Sequence, residues 1–165
     1  MAQVKAFEWY QQNTPIAIPG MKADSTIDVV DSFLAETALN PGDAVIRGTG
    51  DQQVKPVAAA ADIANVIGIA VHTHKDYSGT GAYYEEDYCL PVMTFGDVYV
   101  EVGGTVAAGG QVAMTVTDGV AAFVASGEGA TNVAGMTYLA SGVEGDIVPV
   151  RIRKYEGVDI NGYAQ

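Results

Sequence analysis

Apolar residues come in short runs separated by glycine, and several of those runs alternate with polar residues. The clearest is Ile147–Arg153. Val148, Val150 and Ile152 face one way there and Arg151 and Arg153 the other, which is the period of a half-buried strand. The same pattern predicts strands over residues 43–47, 54–58, 66–73, 89–94, 97–102, 111–116, 120–124 and 135–140. Many short strands between glycine turns predict an all-β fold, a β-sandwich or a barrel-like, jelly-roll-like arrangement. Pro91 and Pro149 lack the amide hydrogen that a ladder needs, so their strands are expected at sheet edges or to begin at the prolines.

The unit is written twice. Shifted by 67, residues 39–71 lie over 106–138 without a gap. Gly42 meets Gly109, Val45 meets Val112, Asp51 meets Asp118, and Val57-Ala58 meets Val124-Ala125. Asn65-Val66 meets Asn132-Val133, and Gly68 meets Gly135, which makes eight identities in 33 positions. Leu90-Pro91-Val92 then matches Val148-Pro149-Val150 at a shift of 58, so the first copy carries nine extra residues (67 − 58) before its last strand. Quasi-repeats 39–94 and 106–153 thus make up a β domain over 38–165, and two such units packed face to face bury one shared core.

Residues 1–37 are expected outside the repeat, as an N-terminal arm and a lead-in segment. The arm is polar and then proline-punctuated at Pro15 and Pro19, and reads as extended chain. In the lead-in, Ser25 and Asp28 open a short helix through Leu34, or else Ile27-Asp28-Val29-Val30-Asp31 is a strand. Residues 58–61 are alanine-rich, but their counterparts 125–128 include Gly127 and are followed by Gly129, so both stretches are read as loops.

Charge narrows the partners. The chain has 20 acidic against 8 basic residues, net −12, and such a surface repels nucleic acid and anionic lipid. No apolar run approaches the ~20 residues of a helical membrane span. The first ten residues hold no signal-peptide core, so the expected site of synthesis and maturation is a cytosol, without export. Cys89 is the only cysteine, which excludes an intrachain disulfide and a cysteine-based metal cage. In Tyr88-Cys89-Leu90-Pro91-Val92 it reads as a packed thiol.

Catalytic motifs are missing. The chain has no Gly-x-Ser-x-Gly and no cysteine with a plausible histidine partner. Gly48-Thr49-Gly50 and Gly127-Glu128-Gly129 lack the third glycine and the lysine of a phosphate loop. His72, His74 and Asp76 project from one face if they lie on a strand, within reach of one metal. A hydrolytic zinc site wants a further ligand and a general base, and there is no third histidine. Glu85-Glu86-Asp87 lacks the spaced oxygens of a calcium loop, and among 20 acids nothing singles out a glycosidase pair. The chain is therefore read as a non-enzyme with neither cofactor nor metal.

Aromatic residues carry more information. Five of nine tyrosines fall between Tyr77 and Tyr99, and Tyr77, Tyr83 and Tyr84 lie in the insertion that only the first copy has. Tyrosine offers rigid contact area with a polar tip. The insertion is either a contact surface or a loop that folds back and buries its own rings. Phe7, Trp9 and Tyr10 in the arm pose the same choice, since a polar-flanked aromatic cluster must dock on its own domain or on a neighbour. These six residues form the candidate interface.

Three segments carry a resemblance. Ala38-Leu39-Asn40-Pro41-Gly42-Asp43-Ala44-Val45, Val66-Ile67-Gly68-Ile69-Ala70-Val71 and Gly96-Asp97-Val98-Tyr99-Val100-Glu101-Val102 resemble the structural cement, or capsid decoration, proteins of tailed phages, over most of residues 31–153. The resemblance implies a β-sandwich that binds the outer surface of an assembled virion head and joins neighbouring major capsid protein subunits. It also implies a small symmetric homo-oligomer, a trimer or a dimer, and supplies no catalytic residues. Two other classes fit parts of the sequence. The turn-rich stretch 100–112 looks like a hairpin of a biotinyl- or lipoyl-type carrier, which needs a lysine at a hairpin tip, and Met21-Lys22-Ala23 lies outside the repeat. A carbohydrate-binding β-sandwich would use the loop tyrosines for stacking.

Overall fold

The computed structural model describes residues 17–74 and 81–153. Its strands are β1 (Val29–Ala35), β2 (Ala44–Arg47), β3 (Gln53–Pro56), β4 (Gly68–Ala70), β5 (Cys89–Glu101), β6 (Gln111–Thr117), β7 (Val120–Ala125), β8 (Thr131–Tyr138) and β9 (Ile147–Arg153). They form one sheet in the order β1-β3-β2-β4-β5-β9-β8-β6-β7, and β1 also pairs with β5. That extra pairing closes a five-stranded barrel from β1, β3, β2, β4 and the first half of β5. Of the sandwich and the barrel, the strand order selects the barrel.

The second half of β5 opens a second barrel with β9, β8, β6 and β7. It closes through a single parallel bridge, Val102 to Phe123, where the first closes through Leu34–Gln53 and Ala35–Val54. Several hydrogen bonds of one unit recur in the other. Gly42 N donates to Ala70 O at 2.8 Å, as Gly109 N does to Tyr138 O at 2.8 Å. Val71 N donates to Pro91 O at 2.9 Å, as Leu139 N does to Pro149 O at 2.9 Å. Ala35 N donates to Tyr88 O at 2.9 Å, as Val102 N does to Asp146 O at 2.9 Å.

These equivalences extend and correct the sequence alignment. The shift of 67 holds for β1 against the second half of β5, and for β2 against β6. It becomes 69 over β3 and β7, because Val45 faces Pro56 whereas Val112 faces Ala125. It is 68 over β4 and β8, where Ala70 faces Val92 and Tyr138 faces Val150, and 58 over the last strands. The first copy therefore carries ten extra residues (68 − 58) rather than nine. The repeat also reaches upstream of residue 38. β1, placed by the sequence in the lead-in, pairs with β5 from Val30–Met93 to Leu34–Cys89, in the register that β5 keeps with β9.

Two apolar clusters replace the expected single core. Phe33, Ala35, Leu39, Val45, Val54, Ala70, Tyr84, Leu90 and Val92 fill the first barrel. A larger cluster fills the second barrel and continues to the outward face of the first, through Ile46, Ile63, Ile69 and Met93. β5 alternates sides along its length, with Val92 in the first barrel's cluster and Val98 and Val100 in the larger one.

Three local expectations change. Ala60–Asn65 is a 3-10 helix, not a loop, because Asp62 Oδ2 accepts the amide of Ala59 at 3.0 Å and Ile63 is buried. Cys89 is exposed at the start of β5 rather than packed. Neither proline sits at an edge: Pro91 lies between β1 and β4, and Pro149 between β5 and β8. At Pro91 the ladder survives because the carbonyl that the missing N–H would serve, Val71 O, accepts instead from the Tyr84 hydroxyl at 2.5 Å.

Candidate functional site

The insertion of the first copy folds back onto its barrel. Tyr84 pairs with Leu39 through two backbone hydrogen bonds of 2.9 Å and has no exposed surface. Its ring meets Tyr83 edge-on at 5.1 Å and lies 5.8 Å from Tyr88. Burial raises the Tyr84 phenol above its ordinary value. Tyr84 is thus a core residue here and offers a partner no area. Tyr83 is half-buried, donating its amide to Asn40 Oδ1 at 2.9 Å and its hydroxyl to Thr73 O. Phe7, Trp9, Tyr10 and Tyr77 lie outside the described residues.

The histidines join this aromatic cluster. β4 ends at Ala70, so His72 and His74 are past the strand; their rings lie 5.7 Å apart, and His72 lies 5.1 Å from Tyr83. Burial, and the positive charge available to His74, hold His72 below the usual imidazole range. Asp76 is outside the described residues, among which no three His, Cys, Asp or Glu side chains converge on a metal-sized space.

Two features escaped the sequence reading. Asp97 is buried on β5 and receives Arg151 from β9 in two hydrogen bonds, Nε to Oδ1 at 3.0 Å and Nη2 to Oδ2 at 2.8 Å. Arg153 Nη1 stands 3.3 Å from Oδ1. The alternation of β9 placed both arginines on one face, but nothing in the sequence paired that face with Asp97. The second feature is a groove of about 1210 Å³ beside β1, lined by Ile27, Val29, Phe33, Ile46, Ile67 and Phe95 among others. Ile27 is 83% exposed, a signal the sequence did carry as an apolar run outside the aligned repeat.

Residues 8–153 match the model of a family described as Structural cement protein (E217 gp24/Pam3 gp6). The chain belongs to this phage cement family. The match spans both barrels, so it covers the whole described fold of the cement protein. A solved chain in the capsid of Myoviridae phage XM1 is similar in fold, with a TM-score of 0.69 and 21% identity over 87% of this chain and 94% of that one. The N base of head fiber gp8.5 in bacteriophage phi29 aligns at a TM-score of 0.43 and 15% identity, over 77% of this chain and 95% of that one. No curated protein sequence matches. Membership makes the cement protein a capsid-associated structural component of the virion.

Proposed function

We propose that this cement protein binds the outer surface of an assembled phage head, bridges neighbouring major capsid protein subunits, and acts without catalysis as a small symmetric oligomer. The observation that carries this reading is the family match across residues 8–153. The physical logic is mass action: a protein that binds assembled shell better than free subunits shifts the equilibrium towards shell. A double barrel sharing one strand suits the task, because both lobes are held to a common spine. The arm residues Phe7, Trp9 and Tyr10, with Tyr77 and Tyr83 of the insertion, are the proposed contacts. Tyr84 supports Tyr83 through their ring contact.

The carrier alternative gains no support from the two lysines among the described residues. Lys22 bridges to Val98 and pairs with Asp28, and Lys55 lies in β3 beside Glu36, so neither stands at a hairpin tip. The test is to incubate the protein with purified shells and measure occupancy and shell melting, with and without residues 1–12. Saturable binding in a ratio set by the shell's symmetry axes, and a higher melting temperature, are expected. No binding to intact shells sinks the proposal, and unchanged binding by the truncated form removes the arm from it.

A further inference from the structure

Among the described residues, the internal repeat leaves one strand position filled in the second barrel and open in the first. Beside the second half of β5, the segment Gly20 to Ala23 adds as a short antiparallel strand. Gly20 N donates to Tyr99 O at 2.7 Å, Tyr99 N to Met21 O at 2.9 Å, and Ala23 N to Asp97 O at 2.8 Å. The repeat equates Asp97 and Tyr99 with Val30 and Ser32 of β1. β3 covers that edge of β1 only at Leu34 and Ala35, so among the described residues nothing hydrogen-bonds the outward amides and carbonyls of Val30 and Ser32. The groove with exposed Ile27 and Val29 lies along this open edge. An uncovered apolar edge is a template for pairing with another chain.

The described chain stops in the right place for its continuation to fill it. Arg153, the last described residue, pairs with Phe95, and Phe95 also pairs with Val29 at the start of β1. Twelve residues follow, with a reach of about 40 Å, several times the three residues of open edge. They contain Gly157-Val158-Asp159-Ile160-Asn161-Gly162, a glycine-bounded stretch of strict alternation. We propose that residues 154–165 of the same chain add to the free edge of β1 and lay Val158 and Ile160 into the groove, as Gly20 to Ala23 does on β5. Tethering gives this segment an effective concentration of about a millimolar, ahead of any free partner in dilute solution. The strand then closes an edge through which soluble copies would otherwise pair.

Amide hydrogen exchange on the isolated full-length protein, compared with a form ending at Arg153, tests this. Val30 and Ser32 should exchange at least about tenfold faster in the shortened form, while Asp31 and Phe33, which face β5, stay unchanged. The full-length Val158→Asp/Ile160→Asp variant should behave like the shortened form and gives the answer if truncation harms folding. Equal exchange in all forms overturns the proposal. Protection that grows with protein concentration assigns the groove to a second copy, and protection only on added shells assigns it to a capsid segment. Either result overturns the assignment to the chain's own end.

Discussion

Tyr84 and Tyr138 each bury a phenol in one barrel, from positions that the repeat does not make equivalent. The counterpart of Tyr84 is Gly142, which occupies the same bridge to Val106 that Tyr84 makes to Leu39. The counterpart of Tyr138 is Ala70. Each barrel therefore holds one tyrosine and one small residue at this pair of sites, exchanged between copies. At Gly142 a Cβ would meet Val148 Cγ2 at 2.6 Å. Close-packed interiors conserve volume rather than residue identity.

The two hydroxyls are predicted to differ in worth. Tyr84 donates to Val71 O, whose ladder partner Pro91 has no N–H, so Tyr84→Phe leaves a buried acceptor unserved. Tyr138 donates to Val124 O at 2.9 Å, and Val124 already faces Ala113 in the β6–β7 ladder. Tyr84→Phe should cost about 1–3 kcal/mol and Tyr138→Phe under about 1 kcal/mol in denaturant unfolding. Equal losses would mean that the proline gap is not what the Tyr84 hydroxyl fills.

This exchange also explains what the sequence revealed and what it hid. Gly42/Gly109, Val45/Val112 and the Pro91/Pro149 strands were legible because turn glycines and ladder prolines are tied to backbone geometry. β1 was hidden: aligned with the second half of β5 it shares no residue from Val29 to Ala35, only the burial of Phe33 and Ala35 against Val100 and Val102. The middle of the alignment slipped because the β6–β7 hairpin is two residues longer than its counterpart, and Val and Ala occur on either side of the slip. The Tyr84 site stayed open for a different reason. A tyrosine in an insertion reads either as a contact or as a ring that its own loop buries, and only the fold, which leaves Tyr84 no exposed surface, shows that it is core.

Arg151 should matter more to stability than Arg153. The Asp97 side chain has no exposed surface, whereas the arginines keep 41% and 31% of theirs. Arg151→Met removes two hydrogen bonds from a buried carboxylate and should lower the melting temperature by more than Arg153→Met does. Arg153→Met removes the longer contact and should cost about 1 kcal/mol. Replacing Asp97 and both arginines by apolar residues together should recover part of the loss. A triple variant as unstable as the sum of its parts would contradict a desolvated pair.

Gly96, between the two halves of β5, is a glycine whose replacement should do more harm than that of Gly109. Its φ is +137°, and a Cβ there would meet Asp28 Cβ and Met93 Sδ at 2.8 Å each. Gly109 also has positive φ, +79°, but a Cβ there meets nothing within 4 Å. Gly109→Ala should cost about 1 kcal/mol from backbone strain, and Gly96→Ala at least about 2 kcal/mol more, from strain plus overlap. If both alanines lower the melting temperature equally, the junction is less tightly packed than its distances require.

The His72 cluster predicts a pH dependence near neutrality, and its sign follows from burial. The folded pKa lies below the ordinary 6.5, so between those two values the unfolded chain binds more protons than the folded one. Stability from this group is complete above the unfolded value and is lost as pH falls through 6.5 towards the folded one. His72 packs on Tyr83, so loosening should begin in the insertion. Unfolding free energy measured between about pH 7.5 and pH 5.5 should decline with acidification, and His72→Gln should flatten that decline, because glutamine keeps a polar planar group but takes up no proton. Carboxylates titrate mostly below this window and act alike in both proteins. A slope identical in the two would show that His72 is hydrated in the folded state and that its contact with Tyr83 does not exclude water.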